Sequence, residues 1–584
     1  MSAQGVKAQQ VARDTLSKAF YDTLKVRTEK NQITRLLYDF IVVDQDVKVK
    51  MRDRMSSTVP FDPYSGYKIR SIRILRLDSF GTDVNNPFVS NPTKYEKLLN
   101  SSYVKTRRFV LEKYLFFKEG DSISPLILSD NERFLRNISL VEDARIIIVP
   151  ANDKTADVLV AIRESYPLGL TASFKRLNYG TATFFDKNFI GLGHEFDAIF
   201  PFDFKDYPMP GIGATYSIKN IIHTYSNLTL EIKDGIGTSK AGVTLARPFV
   251  SSETKYAWSA SVSRIYTTEY LGVKLDTSVR YTFQDYWIAR SFMLNKKSVT
   301  RLIFSARHIN NNVFHRPVIT SHSYYPWQRY KFFVGSVALS SQKYFNTSLI
   351  YSYGRTEDIP YGYLVQADWG VEFNEFKRRS YLGFESSYGN HFDKFGYIYF
   401  TVGVSSFYND SHTEQGLFQA KLKYFTPLFQ SGPFKIRNFI NVYYMHGFNR
   451  NSEEHLYFNS SSYVRGFIND SIRGDKRLIF SYEPVVFTPA IHYGFQFAFF
   501  AFLDAGIMYH NVSIEGSNTM HVYAIGLGVR LRNDQLLFNT LQVRLGFYPV
   551  LPEYTHPRWV DINSITRPRP PDFDPGPPGV MQYK

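Results

Sequence analysis

The chain has no cysteine among its 584 residues, which suits an oxidising compartment where stray thiols would mispair. It also has no run of about 18 apolar residues, and this excludes an ordinary helical membrane span. The opening stretch, MSAQGVKAQQ, lacks the apolar segment of a signal peptide, so an exported form would have lost its signal or been given the wrong start. None of these absences excludes a membrane barrel, whose strands need only about ten residues of alternating character.

Charged residues are few. Only 21% of the residues are charged, whereas 17% are aromatic, and the mean hydropathy of −0.25 means that apolar residues are dispersed among polar ones. The net charge of +16 is typical of proteins that bind nucleic acid or an anionic membrane surface. Because the basic residues are spread out and form no known nucleic-acid motif, we expect lipid and lipopolysaccharide as partners and no nucleic acid.

Motifs that carry catalysis are missing as well. The sequence contains no G-x-S-x-G, Walker or H-E-x-x-H motif, and we therefore expect no enzyme, no cofactor and no metal. His308, His315 and His322 recur every seven residues, but a proline and a loop interrupt them, which favours scattered surface histidines over metal ligands. A barrel phospholipase, with Ser and His facing lipid on neighbouring strands, stays open as an alternative.

The first 165 residues divide into two parts. Within residues 1–65, apolar side chains at helical spacing over residues 10–43 predict one or two amphipathic helices, which either pack on the next domain or dock a partner. Residues 66–165 read as a compact α+β unit in the order strand, helix, helix, strand, strand, with a second helix that starts near Ser129. A loop-like insertion, SFGTDVNNPFVSNPTK, follows the first strand.

From residue 166 to residue 549 the character changes to long alternating segments. TEQGLFQAKLKYFTP and MHVYAIGLGVRLRN each set apolar residues on one face against polar residues on the other. Segments of ten or more residues are longer than ordinary strands, and Tyr and Phe cluster at their ends. A transmembrane barrel is therefore favoured over a soluble sandwich or propeller, because closure satisfies every backbone group in lipid.

One short stretch raises a specific question. SSYVRGFIND, residues 461–470, contains a lone arginine within the sequence Val464, Arg465, Gly466 and Phe467. A strand containing Glu483 follows, and then GFQFAFFAFLDAG, in which Asp504 is the only ionised side chain. The unremarkable interpretation is an exposed arginine in a surface loop.

These elements together resemble the BamA/TamA superfamily of outer-membrane proteins, in which a VRG(F/Y) loop, a strand with an inward Glu and an F-x-D-x-G strand follow one another. Residues 66–165 resemble the POTRA domain that precedes such barrels. The resemblance implies a mainly β fold, namely a 16-stranded antiparallel barrel preceded by a POTRA domain and an N-terminal helix. It also implies that the loop folds into the lumen and pairs Arg465 with Asp504 and Glu483, since a buried arginine needs carboxylate partners.

The last part of the chain departs from that family pattern. Residues 550–584 are rich in proline and cannot form an ordinary strand. We expect either a short last strand near residues 580–583 or a periplasmic extension. Two functions then remain open: a barrel that assists insertion or translocation of unfolded clients through a weak lateral seam, or a scaffold whose POTRA domain recruits accessory subunits. Both would reside in a Gram-negative outer membrane with the N-terminal domain in the periplasm.

Overall fold

The structure, a computed structural model, describes residues 56–583 with gaps. The gaps fall at 91, 93, 153, 177, 206, 208, 271–272, 322–326, 351–356, 411, 452–453, 459–463, 468, 493–494, 510–518, 534–540, 553–554, 556 and 564–569. The amphipathic helices predicted over residues 10–43 lie outside the described residues. Between residues 56 and 65 the chain forms one 3-10 turn, Asp62–Tyr64.

The N-terminal domain is a three-stranded sheet covered by helices. Its elements are β1 (Lys68–Leu77), α1 (Lys94–Ser101), α2 (Arg108–Glu112), α3 (Pro125–Arg136), β2 (Val141–Asn152) and β3 (Thr155–Glu164). The central strand β3 pairs parallel to β1 and antiparallel to β2. The apolar faces of α2 and α3 pack on this sheet, where Leu111, Leu128 and Leu135 are buried with Val158 and Val160. In the part of the chain that is described, no helix combines the length and the apolar character needed to cross a membrane.

Two details of this domain differ from the sequence-based expectation. The third helix begins at Pro125 after Ser124 rather than at Ser129, which is buried inside it. Proline has its backbone angle preset for the first helical turn and lacks a donor that this turn could not use, so Pro125 starts the helix earlier. The insertion is followed by the extra helix α1, whose Leu99 packs on Phe80.

Beyond this domain the chain closes into one large antiparallel barrel, as the alternating pattern predicts. The strands are β4 (Leu168–Arg176), β5 (Tyr179–Phe189), β6 (His194–Asp203), β7 (Ile212–Ile221), β8 (Ser226–Asp234), β9 (Thr238–Arg247), β10 (Tyr256–Tyr270), β11 (Val273–Asn295), β12 (Thr300–His315), β13 (Tyr330–Thr347), β14 (Glu357–Asn374), β15 (Arg378–Phe392), β16 (Gly396–Asn409), β17 (His412–Phe425), β18 (Phe429–Ser431), β19 (Phe434–Phe448), β22 (Lys476–His492), β23 (Phe495–Tyr509), β24 (Thr519–Asn533), β25 (Leu541–Phe547) and β26 (Val560–Asn563). A separate hairpin, β20 (Leu456–Phe458) with β21 (Asn469–Gly474), lies between β19 and β22.

The described part of the barrel sheet contains 21 strands rather than the 16 predicted. Six of them, β4 to β9, have only 9 to 11 residues each, and β18 has three. Neighbouring short strands are hard to distinguish from the sequence, because each one alternates over too few residues to show where it begins and ends. The mainly β, closed antiparallel architecture is confirmed and the strand count is corrected.

Each long strand divides its side chains between two environments. Large apolar residues on alternate positions are exposed on the outside, and the positions between them are buried toward the lumen, where polar side chains lie beside an apolar cluster. On β14 and β15, for example, Trp369, Leu382 and Phe384 are exposed, while Asp368 and Ser387 are buried. An apolar outer surface with buried polar groups inside is typical of a transmembrane barrel.

The proline-rich tail after β25 contains a short last strand, as one of the two expectations has it, but at residues 560–563 rather than near residues 580–583. Within the described residues the last strand is β26, which lies next to β4 and closes the barrel, and residues 580–583 form no strand. Residues 570–583 enter the lumen, where Phe573 is fully buried and Tyr583 packs against the main apolar core. The prolines prevent ladder pairing, so this segment binds the wall through side chains and scattered backbone contacts.

The N-terminal domain is attached directly to the barrel. Arg136 on α3 donates to both carboxylate oxygens of Asp358 on β14 at 2.8 and 3.0 Å, and also to Glu132 at 2.6 Å. The guanidinium of Arg133 lies 4.0 Å from the ring centre of Tyr344. Because these charged groups are almost fully buried, the domain is held in a defined orientation.

Replacing Arg136 with Met should detach the domain from the barrel. Glu132 and Asp358 would then be buried without this cation, at an expected cost of about 3–5 kcal/mol. Urea unfolding and limited proteolysis in detergent would measure the loss. The control is Arg108→Met, which breaks an exposed pair with Glu112 and should cost about 1 kcal/mol or less. Equal effects of the two changes would contradict a locking role for Arg136.

Candidate functional site

The described residues Val464 to Phe467 lie between β20 and β21 and fold into the barrel. Val464 and Phe467 are buried, at 0% and 1% exposure, and Phe467 stacks edge-on against Phe458 with ring centres 5.6 Å apart. A backbone hydrogen bond from Phe467 to the carbonyl of Val464, at 3.0 Å, closes a tight turn around the arginine. The apolar side chains on either side therefore direct Arg465 toward the wall.

Arg465 meets carboxylates on two neighbouring strands. Its Nε and Nη2 donate to the two oxygens of Asp504 on β23 at 2.8 and 2.6 Å, and its Nη1 donates to Glu483 on β22. Ser481 accepts from Nη2 at 2.8 Å and donates to Asp504 at 2.8 Å. The guanidinium also lies 4.4 Å from the ring centre of Phe502. All three side chains named from the sequence thus meet in one cluster.

A second arginine completes the cluster. Arg530 on β24 donates to both oxygens of Glu483 at 2.8 and 3.0 Å and to Gln542 at 2.7 Å, and it stacks on Phe500. Two guanidinium groups therefore face two carboxylates, so this group of four is electrically neutral although each member is largely buried. Neutrality matters because an unpaired charge in a dry interior is far more costly than a paired one.

Two glycines allow the loop that carries Arg465 to lie close to the barrel wall. Gly466 has a φ of +80°, and a Cβ at this position would overlap the hydroxyl of Tyr548. A Cβ on Gly506 would lie 2.8 Å from side-chain atoms of both Phe458 and Val464. The first glycine allows the turn, and the second leaves room on the wall for the residues that flank the arginine.

The same loop also contacts the connection between the last two strands. Tyr548, just after β25, donates from its hydroxyl toward the carbonyls of Arg465 and Arg558 at 2.8 and 2.9 Å. The backbone N–H of Arg558, just before β26, donates to the carbonyl of Gly466 at 2.9 Å. The loop is therefore bonded both to the wall and to the hairpin that closes the barrel.

Sequence reasoning missed Arg530, Tyr548 and Arg558. In AIGLGVR the lumen-facing positions before Arg530 hold Ala or Gly, so an isolated charge there is a signal that could have been used. Arg558 acts through its backbone carbonyl and N–H groups, and Tyr548 donates its hydroxyl to backbone carbonyls, so neither contact has a partner side chain that the sequence could indicate. His308 stacks on Phe333, His315 is exposed and His322 lies outside the described residues. Among the described residues, no group of three His, Asp or Glu side chains is arranged to bind a metal.

No family model and no curated protein matches the chain. Among solved structures it is similar to BamA from Haemophilus ducreyi lacking POTRA domains 1-3, with 10% identity, coverage of 85% of this chain and 84% of that one, and a TM-score of 0.37. It is also similar to CdiB from Escherichia coli (11% identity, 85% and 75% coverage, TM-score 0.42) and to CdiB from Acinetobacter baumannii (12%, 93% and 97%, 0.35). At these identities the likeness concerns the fold alone.

Replacing Arg465 with Ala should release the loop from the wall. Asp504 loses its forked partner, and the loop should lose about 3 kcal/mol of docking free energy. Asp504→Ala should have a similar effect, and the double variant should cost less than the sum because both changes remove one interaction. Unfolding in detergent would supply the three free energies. Arg473→Ala, at an exposed position beside the same hairpin, is the control, and additive losses would show that the two residues act independently.

Proposed function

We propose that this chain is a non-enzymatic outer-membrane barrel of a Gram-negative envelope, with residues 66–165 acting as a POTRA domain in the periplasm. The apolar outer surface of the barrel supports placement in a membrane. The strand, helix, helix, strand, strand order, here with one additional helix, supports the POTRA assignment. Lipid and lipopolysaccharide are then its surroundings, and unfolded or partly folded proteins are its clients.

In this proposal the barrel assists insertion or translocation of clients by opening between β26 and β4. The observation that carries it is the length of β26, which has four described residues, Val560–Asn563, beside wall strands of up to 23. So short a ladder contributes few backbone hydrogen bonds, whereas the loop cluster adds contacts through Gly466 and Arg558. The barrel would thus be weakest at its seam and held there partly by contacts with the loop.

The POTRA domain would receive clients along β2, one of the two edge strands of its sheet. Glu132 already accepts from the N–H of Ile146 at 2.8 Å, and Arg136 donates to the carbonyl of Ala144 at 3.2 Å. Because backbone groups alternate in direction along a strand, an added client strand would pair with the following outward residue, Ile148. Proline at position 150 offers a carbonyl but no N–H, so the available edge is short and suits weak, reversible capture.

A scaffold that anchors accessory subunits in the outer membrane is the second candidate. It is favoured by the buried attachment of Arg136 to Asp358, which would hold the N-terminal domain rigidly enough to orient a partner. An insertase needs its seam to open, whereas a scaffold does not. The two candidates therefore differ in a property that cross-linking can control.

Photo-crosslinking tests client capture at β2. A photoreactive residue at Val149, which is 49% exposed, should trap unfolded outer-membrane clients because it lies next to the available edge. The same probe at Phe109, 44% exposed on α2, is the control and should trap few. Equal yields at the two positions would show that β2 is not the receiving edge.

Locking the seam distinguishes the insertase from the scaffold. Cysteine pairs joining residues 168–171 to residues 560–563 can be screened without interference, because the chain has no native thiol. Oxidation of a pair that forms should stop client assembly, and reduction should restore it. The control pair, Val337→Cys with Ala367→Cys, joins opposed residues of β13 and β14 and should have no effect. If a locked seam leaves assembly unchanged while deletion of residues 66–165 abolishes partner recovery, the scaffold function is correct.

A further inference from the structure

Residues 570–583, here called the lumenal segment, run through the barrel from one end to the other. Phe573 contacts Ser340 and Gln342 near the end of β13 that faces the N-terminal domain. Tyr583 lies against Arg450 and the carbonyl of Gly474, beside the loop that carries the arginine cluster.

The wall supplies a cation and hydrogen-bond donors for the acidic part of the segment. Arg301 on β12 is 1% exposed and pairs with Asp574, while its Nε and Nη1 have no partner among the described residues. Tyr344 donates to Asp572 at 2.9 Å. Without the segment, the guanidinium of Arg301 would lose this carboxylate, so this part of the wall is built to receive an anionic side chain.

Glycines in the wall leave space for three large side chains of the segment, Phe573, Met581 and Tyr583. A Cβ on Gly389 would lie 2.8 Å from the ring of Phe573. A Cβ on Gly403 would lie 3.1 Å from Met581, and a Cβ on Gly447 would lie 2.5 Å from Tyr583. Glycines on three wall strands thus face the segment's bulky residues, and this fit indicates a specific site rather than loose filling.

Backbone contacts fix the middle of the segment without joining it to the sheet. Arg307, itself held by Asp285, donates to the carbonyl of Pro578 at 2.9 Å. Tyr381 donates to the carbonyl of Gly579 at 3.2 Å. Five prolines within the segment have no N–H to leave unpaired and restrict its backbone before it binds. Such a segment can leave the wall without breaking any strand ladder.

We propose that the inner wall of the barrel is a binding site for an extended peptide with an Asp-Phe-Asp sequence followed by prolines, and that the lumenal segment occupies this site as a removable plug. The plug blocks the lumen at rest and vacates it when a polypeptide needs the space. The role of the segment as a plug that blocks passage through the lumen rests on the membrane placement proposed above, whereas the peptide-binding site does not.

Peptide binding in detergent tests the site directly. A fluorescent peptide of residues 570–583 should bind a variant that lacks residues 570–584 and should fail to bind the full chain, whose site is occupied. Arg301→Gln in the truncated variant should weaken binding by about tenfold or more, equivalent to about 1.4 kcal/mol. Arg378→Gln, an exposed change at the start of β15, is the matched control. Absence of binding to the folded truncated variant, or equal weakening by both changes, would overturn the proposal.

Conductance in planar bilayers tests the plug. The truncated variant should pass a larger ionic current than the full chain, and the free peptide should reduce this current again. Unchanged current after truncation would refute the plug, even if the peptide site stands. Should no variant insert into the bilayer, the membrane placement fails while detergent binding still reports on the site.

A cross-link covers the case in which the truncated variant does not fold. Gln419 and Met581 are in contact, with Nε2 and Sδ 4.0 Å apart. Gln419→Cys with Met581→Cys in the full chain should therefore be joined by a short bismaleimide, and the joined protein should keep the low current of the full chain. The control pair is Met581→Cys with Ser239→Cys on β9, outside the contacts of the segment. Equal joining of both pairs, or none of the first, would place the segment elsewhere.

Discussion

Pairing of buried guanidinium groups with carboxylates attaches three parts of the molecule to the barrel wall, because a charge that leaves water without a partner is costly. Arg465 anchors the loop to Asp504 and Glu483, Arg301 anchors the lumenal segment through Asp574, and Arg136 anchors the N-terminal domain to Asp358. Each pair joins the barrel wall to a part that is not a wall strand. The wall itself is held by backbone hydrogen bonds between strands, and the remaining parts are attached to it by buried ion pairs.

Ion pairs of this kind determine position more than they add stability. The cost of removing two charges from water cancels much of their attraction, so a buried pair contributes little net free energy compared with apolar residues of the same volume. Removing only one partner is expensive, however, because the other charge stays buried. An intact ion pair therefore fixes the position of the attached part. A competing carboxylate or guanidinium could nevertheless replace one partner of the pair without a large change in free energy.

Much of this arrangement could be read from the sequence, and the limits have physical reasons. Alternation over ten or more residues predicts the wall, and the isolated charges Arg465 and Asp504 stand out in apolar surroundings. The short strands between residues 168 and 247 lack enough repeats to be counted. Prolines after β25 exclude an ordinary strand, but residue type says nothing about whether such a segment lies inside or outside a barrel. Only the three-dimensional wall brings Gly389, Gly403 and Gly447 opposite their bulky partners.

The loop, the seam and the lumenal segment occupy one connected region. Tyr548 and Arg558 bond the loop to the connection that leads into β26, and Tyr583 reaches the carbonyls of Gly474 and Asp475 where the same loop ends. A displacement of the loop would therefore remove contacts from the closing hairpin and from the end of the segment together. Because prolines keep the segment out of the sheet and β26 is short in the described chain, both depend on contacts with the loop and the wall more than on a strand ladder. In the proposed function, opening the seam and emptying the lumen should then be energetically coupled through this loop.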